Sequence, residues 1–531
     1  MAFATTAAIL ALVPWTVHAW PSQDGPNHLA VTHILAHYAD AGSPFPKYFD
    51  VERGLKPSTA TYTLLALLSR SLSLPTAEKL LVSVAIILAP VSLLFLLQRS
   101  VPRRRANALL ALPFAIGWAL AMGFLSFVLA MAFGVLTLSL GWAQGPVRRA
   151  GWWGPVLAAA TLSLSLWFHP VAAVEAGLAL LLLEGRNLGR PSEWPRLVLV
   201  VSPAALLLAL SYAGAHAAPP TSGPPPQTHF ADPLSLVGGV FEYHLAYTPW
   251  ELVPRAIAVA VLVRFAWSGM RTFSPLGATA EGALTRVVLC FLALYCVTPL
   301  VLGGWFYAST RFLLFASLLL PAAAEIPPRT GRRLLAIAPA LTAAVLVVQW
   351  PDLRASSVEM RDVVDVGASL PRGAKIVPMD FMARLMGPQP LAHAWAGLVV
   401  ERDAVASQIF AAGKPGMGGE SFRTLSFRSG VLDEATGILP WSTSEGWNDV
   451  VRKCSTTPLI AWLQSGKLGC EAILAERKAT LDAVLDRYDY ILMLDPPDYA
   501  RALVASRTSF VDRRGAAWLF RVTTATGAPP P

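Results

Sequence analysis

Apolar stretches of membrane-crossing length recur through the first two thirds of this chain, at residues 3–20, 77–98, 106–124, 125–143, 153–169, 170–185, 195–215, 252–269, 284–303, 308–326 and 333–350. About 20 consecutive apolar residues span a bilayer as a helix. In lipid every backbone polar group must be satisfied within the spanning structure, which leaves helices or a closed barrel. Runs this long exclude the alternating pattern of barrel strands. The expected fold is therefore an α-helical polytopic membrane protein with about eleven transmembrane helices. Composition agrees. Only 14% of the 531 residues are charged, against roughly 25% in a soluble domain.

The formal net charge is +9, but the excess sits in short loops. Its clusters are Arg99/Arg103/Arg104/Arg105, Arg148/Arg149, Arg186/Arg190/Arg196, Arg264/Arg271/Arg286 and Arg329/Arg332/Arg333. Cytoplasmic loops of membrane proteins carry such an excess, so the clusters read as topology and not as a nucleic-acid surface. Placing all five inside puts the N-terminus in the cytoplasm and the C-terminus outside, as expected for a multi-pass protein of a bacterial cytoplasmic (inner) membrane. Residues 3–20 have no Lys or Arg before them and so lack the basic flank of a cleaved leader; they are expected to stay as the first span. Residues 58–74 contain Arg70, costly near a helix centre, and spanning there would throw Arg103–Arg105 outside. That stretch is expected to lie as an interfacial helix on the outer leaflet.

The weave divides the chain into a transmembrane domain (residues 1–350), a tail domain (351–522) and a disordered end (523–531). The transmembrane part carries a first extracytoplasmic loop at 21–57 and a Pro-rich outer loop at 216–250. The tail is expected to be an extracytoplasmic α/β domain, helical over 355–369. Strands are expected at Lys375–Met379, Tyr488–Leu494 and Ala517–Val522, where short apolar runs suit buried strands. Cys454 and Cys470 are candidates for a disulfide outside the cytoplasm. The chain has no Walker sequence, no dinucleotide-binding glycine pattern and no nucleophile elbow.

The residues suited to chemistry gather on the outer side. Asp24-Gly25-Pro26 forms a turn after the first span, and Pro26 suits the first turn of a helix running to about Ala39. Asp24 stands at that helix's positive end, where a carboxylate stays ionised; it is either a helix cap or a ligand group. His28 is one turn on, with His33 and His37 following at helical spacing. Arg311, in Gly303–Phe312 with Tyr307, lies just inside the outer boundary. A guanidinium there binds a phosphate through its fork or snorkels to lipid headgroups. Trp167-Phe168-His169-Pro170 and Gly123–Phe127 form further outward turns, and Glu175 is an intramembrane acid, a kind that defaults to a functional or paired role. His229, Asp232, Glu242 and His244 in the Pro-rich loop are oxygen and imidazole donors, but their spacing specifies no protein-only metal site.

The arrangement resembles the GT-C glycosyltransferases, polytopic enzymes that transfer sugars from polyprenyl-phosphate donors outside the cytoplasmic membrane. The resemblance rests on an Asp directly after the first span, leading a juxtamembrane helix. Asp24-Gly25-Pro26-Asn27-His28-Leu29 is similar to the D-x-P-x-H-L start of many bacterial members without an assigned substrate. An Arg-Phe pair like Arg311-Phe312 opens the corresponding helix in GT-C-like sequences. Pro390–His393 with Val400-Glu401-Arg402 resembles a segment of the same group.

The resemblance implies Asp24 as general base toward an acceptor hydroxyl. Substrate contacts would come from His28, Arg311, Tyr307, His169 and Glu175. The implied partners are membrane lipid, a polyprenyl-phosphate sugar donor and a glycan, lipid or protein acceptor. Because some members use a metal, Mg or Mn stays open as a cofactor. Members of defined activity often pair two acids in the first loop. Here the next acids are Asp40, Asp50 and Glu52, which keeps a non-enzymatic envelope assembly protein as an alternative. A transporter of lipid-linked substrates is another, although transporters concentrate polar residues near the midplane and show repeats.

Overall fold

The computed structural model describes residues 1–523 apart from 53–55, 143–150, 186–188, 217–227, 272–278, 303–305, 327, 382–386, 411–423, 429–474, 476–477, 480 and 483–484. The chain is mostly helical. In order come α1 (Ala2–Leu12), α2 (Gly25–His37), α3 (Ala60–Leu68), α4 (Leu74–Ser100), α5 (Trp118–Ala121), α6 (Leu125–Gly141), α7 (Trp153–Phe168) and α8 (Pro170–Glu184). They are followed by α9 (Trp194–His216), α10 (Pro233–Glu242), α11 (Leu252–Arg271), α12 (Ala280–Val297), α13 (Ala308–Ala323) and α14 (Pro328–Val366). The tail adds α15 (Gly397–Arg402) and α16 (Asp498–Val504).

Among the described residues, four helices are long and apolar enough to cross a membrane: Leu74–Ser100, Pro191–Ser211, Ala280–Val297 and Ala336–Ser369. Ala2–Thr16, Leu125–Gly141, Trp153–Phe168 and Ala308–Ala323 are apolar but shorter. The expected span at 106–124 is not one helix. Pro102–Phe114 winds as a 3-10 run with Pro113 inside it, and α5 is a separate short piece. Proline lacks the N–H that an α-helix would use, and Gly123 then turns the chain at φ +86°. At His169 the backbone is extended and Pro170 opens α8, the restriction proline places on the residue before it.

The tail sheet has order β3 (Val405–Ala406), β2 (Lys375–Asp380), β5 (Tyr490–Leu494), β7 (Ala517–Val522) and β6 (Thr508–Arg514). β2 pairs in parallel with β3 and β5, while β5–β7 and β7–β6 are antiparallel. The central strands β2 and β5 are buried nearly throughout, which is why their apolar runs are continuous. The candidate disulfide cysteines, Cys454 and Cys470, and the tail end 524–531 lie outside the described residues.

Two apolar cores fill the molecule. The larger packs the helical bundle around Leu93, Phe127, Leu138, Phe291 and Phe315. The smaller packs the sheet, and it also takes in Ala30, Val31, Ile34, Phe45, Tyr48 and Phe49 from the first loop. A short strand β1 (Phe49–Val51) pairs antiparallel with β4 (Leu425–Phe427). The first loop thus shares a core with the tail. Residue 350 falls inside α14, whose Leu353 sits in the larger core and whose Met360, Val363 and Val366 sit in the smaller. Helix α2 lies between the two, with Leu29 in the bundle core and Ala30, Val31 and Ile34 in the tail core. A helix read from sequence as juxtamembrane is in fact buried on both sides.

Candidate functional site

The start of α2 is held by backbone contacts from the Gly123 turn. Gln23 N–H donates to the Ala121 carbonyl at 2.8 Å and Asp24 N–H to the Met122 carbonyl at 3.0 Å. A Cβ at Gly123 would come within 2.5 Å of Gly25 N and 3.0 Å of Asp24 N. Only glycine combines that positive φ with so close an approach. Tyr247 adds a third fixing point, its hydroxyl donating to the Pro21 carbonyl at 2.7 Å.

Asp24 occupies the N-cap position of α2, yet its side chain makes no capping hydrogen bond. Three other helices show what capping looks like in this chain. Ser73, Asp232 and Thr279 accept from backbone N–H groups at the starts of α4, α10 and α12. The Asp24 carboxylate turns instead toward the tail, with Oδ1 3.5 Å from His393 Nε2 and both side chains about five-sixths buried. His28, one turn along, shares a 2.8 Å hydrogen bond with the Tyr62 hydroxyl of α3. Its ring packs edge-on to Phe410 at 5.2 Å. α3 is in turn fastened to the bundle where Trp167 Nε1 donates to Thr59 Oγ1 at 2.9 Å.

Arg311 lies in the first turn of α13, 8% exposed, with its guanidinium over Phe124 at 5.5 Å and Phe127 at 5.6 Å. Gly123 and Phe124 are adjacent, so one turn abuts Asp24 and underlies Arg311. His169 packs edge-on to Phe127 at 5.3 Å and is close enough to Arg311 and His28 for both charges to act on it. Glu175, fully buried on α8, interacts electrostatically with Arg311. Neither of its carboxylate oxygens has a hydrogen-bond partner among the described residues. Tyr307, in the left-handed region at φ 59°, caps α13 and packs its ring against Trp118 at 5.0 Å and Tyr243 at 6.2 Å. A non-glycine residue held at positive φ stores of order 1–3 kcal/mol of strain, which its surroundings must offset.

The structure therefore draws Asp24, His28, His169, Glu175, Tyr307 and Arg311 around one corner of the bundle. It separates the other candidates. His33 Nε2 donates to Asp403 Oδ1 at 2.8 Å, and Arg372 Nε donates to Asp403 Oδ2 at 2.8 Å, away from Asp24. His37 pairs with Asp40. Burial lowers the His33 imidazole below its ordinary value, against the pull of Asp403. Burial pushes the Asp403 carboxyl up, but the hydrogen bonds from His33 and Arg372 outweigh it and leave Asp403 below 3.8.

In the Pro-rich loop, Asp232 caps α10, His229 pairs through its backbone with Val301, and His244 packs on Phe114. No three His, Cys, Asp or Glu side chains converge as metal ligands among the described residues. Sequence reasoning did not place Gly123, Tyr62 or Phe410 in the site, and left His393 as a similarity of sequence alone. Their signals are non-local. Nothing in the residues near Gly123 announces that another segment's backbone will lie against it.

No family model matches this chain, and no curated protein sequence matches it. Solved structures do. ArnT from Cupriavidus metallidurans bound to undecaprenyl phosphate superposes at TM-score 0.55, with 10% identity, over 99% of this chain and 98% of that one. The same protein in the apo state gives TM-score 0.55 and 13% identity over the same shares. The arabinofuranosyltransferase AftD from Mycobacteria overlaps 98% of this chain and 40% of its own at TM-score 0.48 and 14% identity, too loosely to carry weight. The near-complete overlay on ArnT shows that the two chains share a fold, a helical bundle with a small sheet.

Proposed function

We propose that this chain is a membrane glycosyltransferase that moves a sugar from a polyprenyl-phosphate-linked donor to a glycan, lipid or protein acceptor of the cell envelope. In this reading the long and shorter apolar helices cross the membrane together. The arginine clusters then face the cytoplasm, and the tail and the Asp24 corner face outward. The ArnT structure that overlays the whole chain holds undecaprenyl phosphate, which supports a donor of that class.

The observation that carries the proposal is that Asp24 stands at the N-cap of α2 with its carboxylate turned from the helix toward His393 at the corner that also holds His28 and Arg311. A carboxylate at a helix N-terminus is favoured as an anion, the form in which it can accept a hydroxyl proton. Asp24 takes that proton while the acceptor oxygen forms its bond to the anomeric carbon. The bond from that carbon to the phosphate oxygen breaks, and polyprenyl phosphate leaves with the electron pair. Arg311 offsets the charge growing on the phosphate. His28, His169 and Tyr307 flank the sugar, and Glu175 sets the guanidinium. A single displacement inverts the anomeric configuration.

The test uses purified protein with undecaprenyl phosphate carrying a radiolabelled pentose or hexose, offered with lipid and glycan acceptors. Transfer by the wild type and none by Asp24→Asn is the expected result. Undecaprenyl phosphate binding without transfer from any donor would favour the assembly-protein alternative. Transfer undiminished in Asp24→Asn would overturn the assignment.

A further inference from the structure

Besides the apolar contacts of Ala30, Val31 and Ile34 and the His33–Asp403 hydrogen bond, the tail makes a set of polar and aromatic contacts to residues 23–28. Gln389 N–H donates to Gln23 Oε1 at 2.9 Å. Asn27, fully buried, uses both ends of its amide. Its Nδ2 donates to the Gln408 carbonyl at 3.0 Å, and its Oδ1 accepts from Phe410 N–H at 2.9 Å. The Phe410 ring then lies between two imidazoles, 5.2 Å from His28 and 5.4 Å from His393. His393 precedes the short 3-10 turn Ala394–Ala396, whose Trp395 is 1% exposed and anchors the turn in the tail core. Its Nε2 is the atom that faces Asp24 Oδ1.

We infer that His393 is a positioning residue for Asp24, so that the tail supplies part of the site and the base is correctly set only when the tail is docked on α2. The inference rests on the glycosyltransferase reading for its kinetic consequence, but the contact itself does not. An imidazole nitrogen 3.5 Å from one carboxylate oxygen, with its proton on that nitrogen, restricts the rotation of the carboxylate. The docking contacts hold His393 in turn: the Phe410 ring packs on it at 5.4 Å, and Phe410 and Gln389 both bind residues 23–28. Asp24 makes no capping bond to the backbone of α2, and His393 is a side chain of the tail placed against its carboxylate. The polar and aromatic contacts at 389, 393, 408 and 410 would have no reason to crowd one helix start if the tail served only as a separate binding module.

Two measurements test this. The first needs no substrate. Thermal midpoints in detergent are compared for wild type, Asp24→Asn, His393→Ala and the double variant. Coupling predicts that the double variant's shift falls short of the sum of the single shifts; additive shifts would overturn the inference. The second uses whichever polyprenyl-phosphate sugar the wild type turns over. His393→Ala is expected to lose on the order of 10²-fold in kcat, as misplacement of a reacting group does, with KM unchanged. His393→Gln, which keeps an N–H donor, should recover part of the kcat and guards against a variant that fails to fold. A wild-type kcat in His393→Ala would refute the positioning role. A wild type that transfers nothing while the thermal cycle remains non-additive would overturn the enzymatic reading and leave the His393–Asp24 coupling standing.

Discussion

Gly123→Ala separates backbone strain from pressure on the site, because a second glycine supplies the control. Gly123 and Gly42 both have positive φ, +86° and +80°. Alanine at either position meets a left-handed penalty of about 1–2 kcal/mol, reduced by about 0.4–1 kcal/mol through the stiffer unfolded chain. At Gly42 a Cβ would have nothing within 4 Å, so the cost ends there. At Gly123 it would stand 2.5 Å from Gly25 N and 3.0 Å from Asp24 N, all backbone. Since those atoms cannot rotate away, the first turn of α2 must move by a fraction of an ångström to about 1 Å. Overpacking of that kind adds about 1–3 kcal/mol. A shift of 1 Å in a reacting group costs on the order of 10²-fold in rate. Expected, then, are a modest loss of thermal stability in both variants, larger in Gly123→Ala, and a fall in turnover of undecaprenyl-phosphate-linked sugar in that variant alone. Equal turnover in the two variants would refute the claim that the Gly123 turn sets Asp24.

Asp24→Asn should lower kcat by about 10²–10⁴-fold, the range for a general base. Arg311→Lys keeps a charge but loses the bidentate fork, and should weaken undecaprenyl phosphate binding in an equilibrium assay; unchanged affinity would remove Arg311 from the donor site. Asn27→Ala leaves the Gln408 carbonyl and Phe410 N–H without their partner in a buried position, at about 1–3 kcal/mol for each group, and should loosen the tail in limited proteolysis. The pH dependence follows from two depressed groups. His33 binds its proton more readily in the unfolded chain, so its contribution is complete above 6.5 and is lost as pH falls from there through its lower folded value. Asp403 adds stability above 3.8 that is lost as pH falls through its own lower value. Both act in the same direction, so the melting temperature should fall on acidification, and His33→Gln should flatten the upper part of that fall. A rise in melting temperature between pH 7 and 5 would contradict the assignment.

Much of the helical framework is legible residue by residue. The His169-Pro170 break, the helix start after Asp24 and the strands at Lys375–Asp380 and Ala517–Val522 follow from proline geometry and from short apolar runs. The stretch 106–124 is not, because an apolar run of spanning length does not reveal what Pro113 and Gly117 do to a helix that must also meet α14 and α4. Helix α2 is the sharper case. Its residues have a helical pattern, but the pattern cannot say that Leu29 faces one core and Ile34 another. Nor can it distinguish an Asp that caps from an Asp that has been drawn off the cap by a histidine in the tail.

The sequence by itself determined where the chain is apolar over long runs, which loops carry the basic charge and where an acid stands at the start of a helix. Those are local properties, set by transfer free energies and backbone preferences that act within a few residues. Only the tertiary structure decided that Phe49 pairs with Phe427, that Asn27 binds Gln408 and Phe410, and that His393 faces Asp24. Such contacts join segments hundreds of positions apart. Their free energy depends on shape and burial after the chain has closed, so no window of sequence contains it.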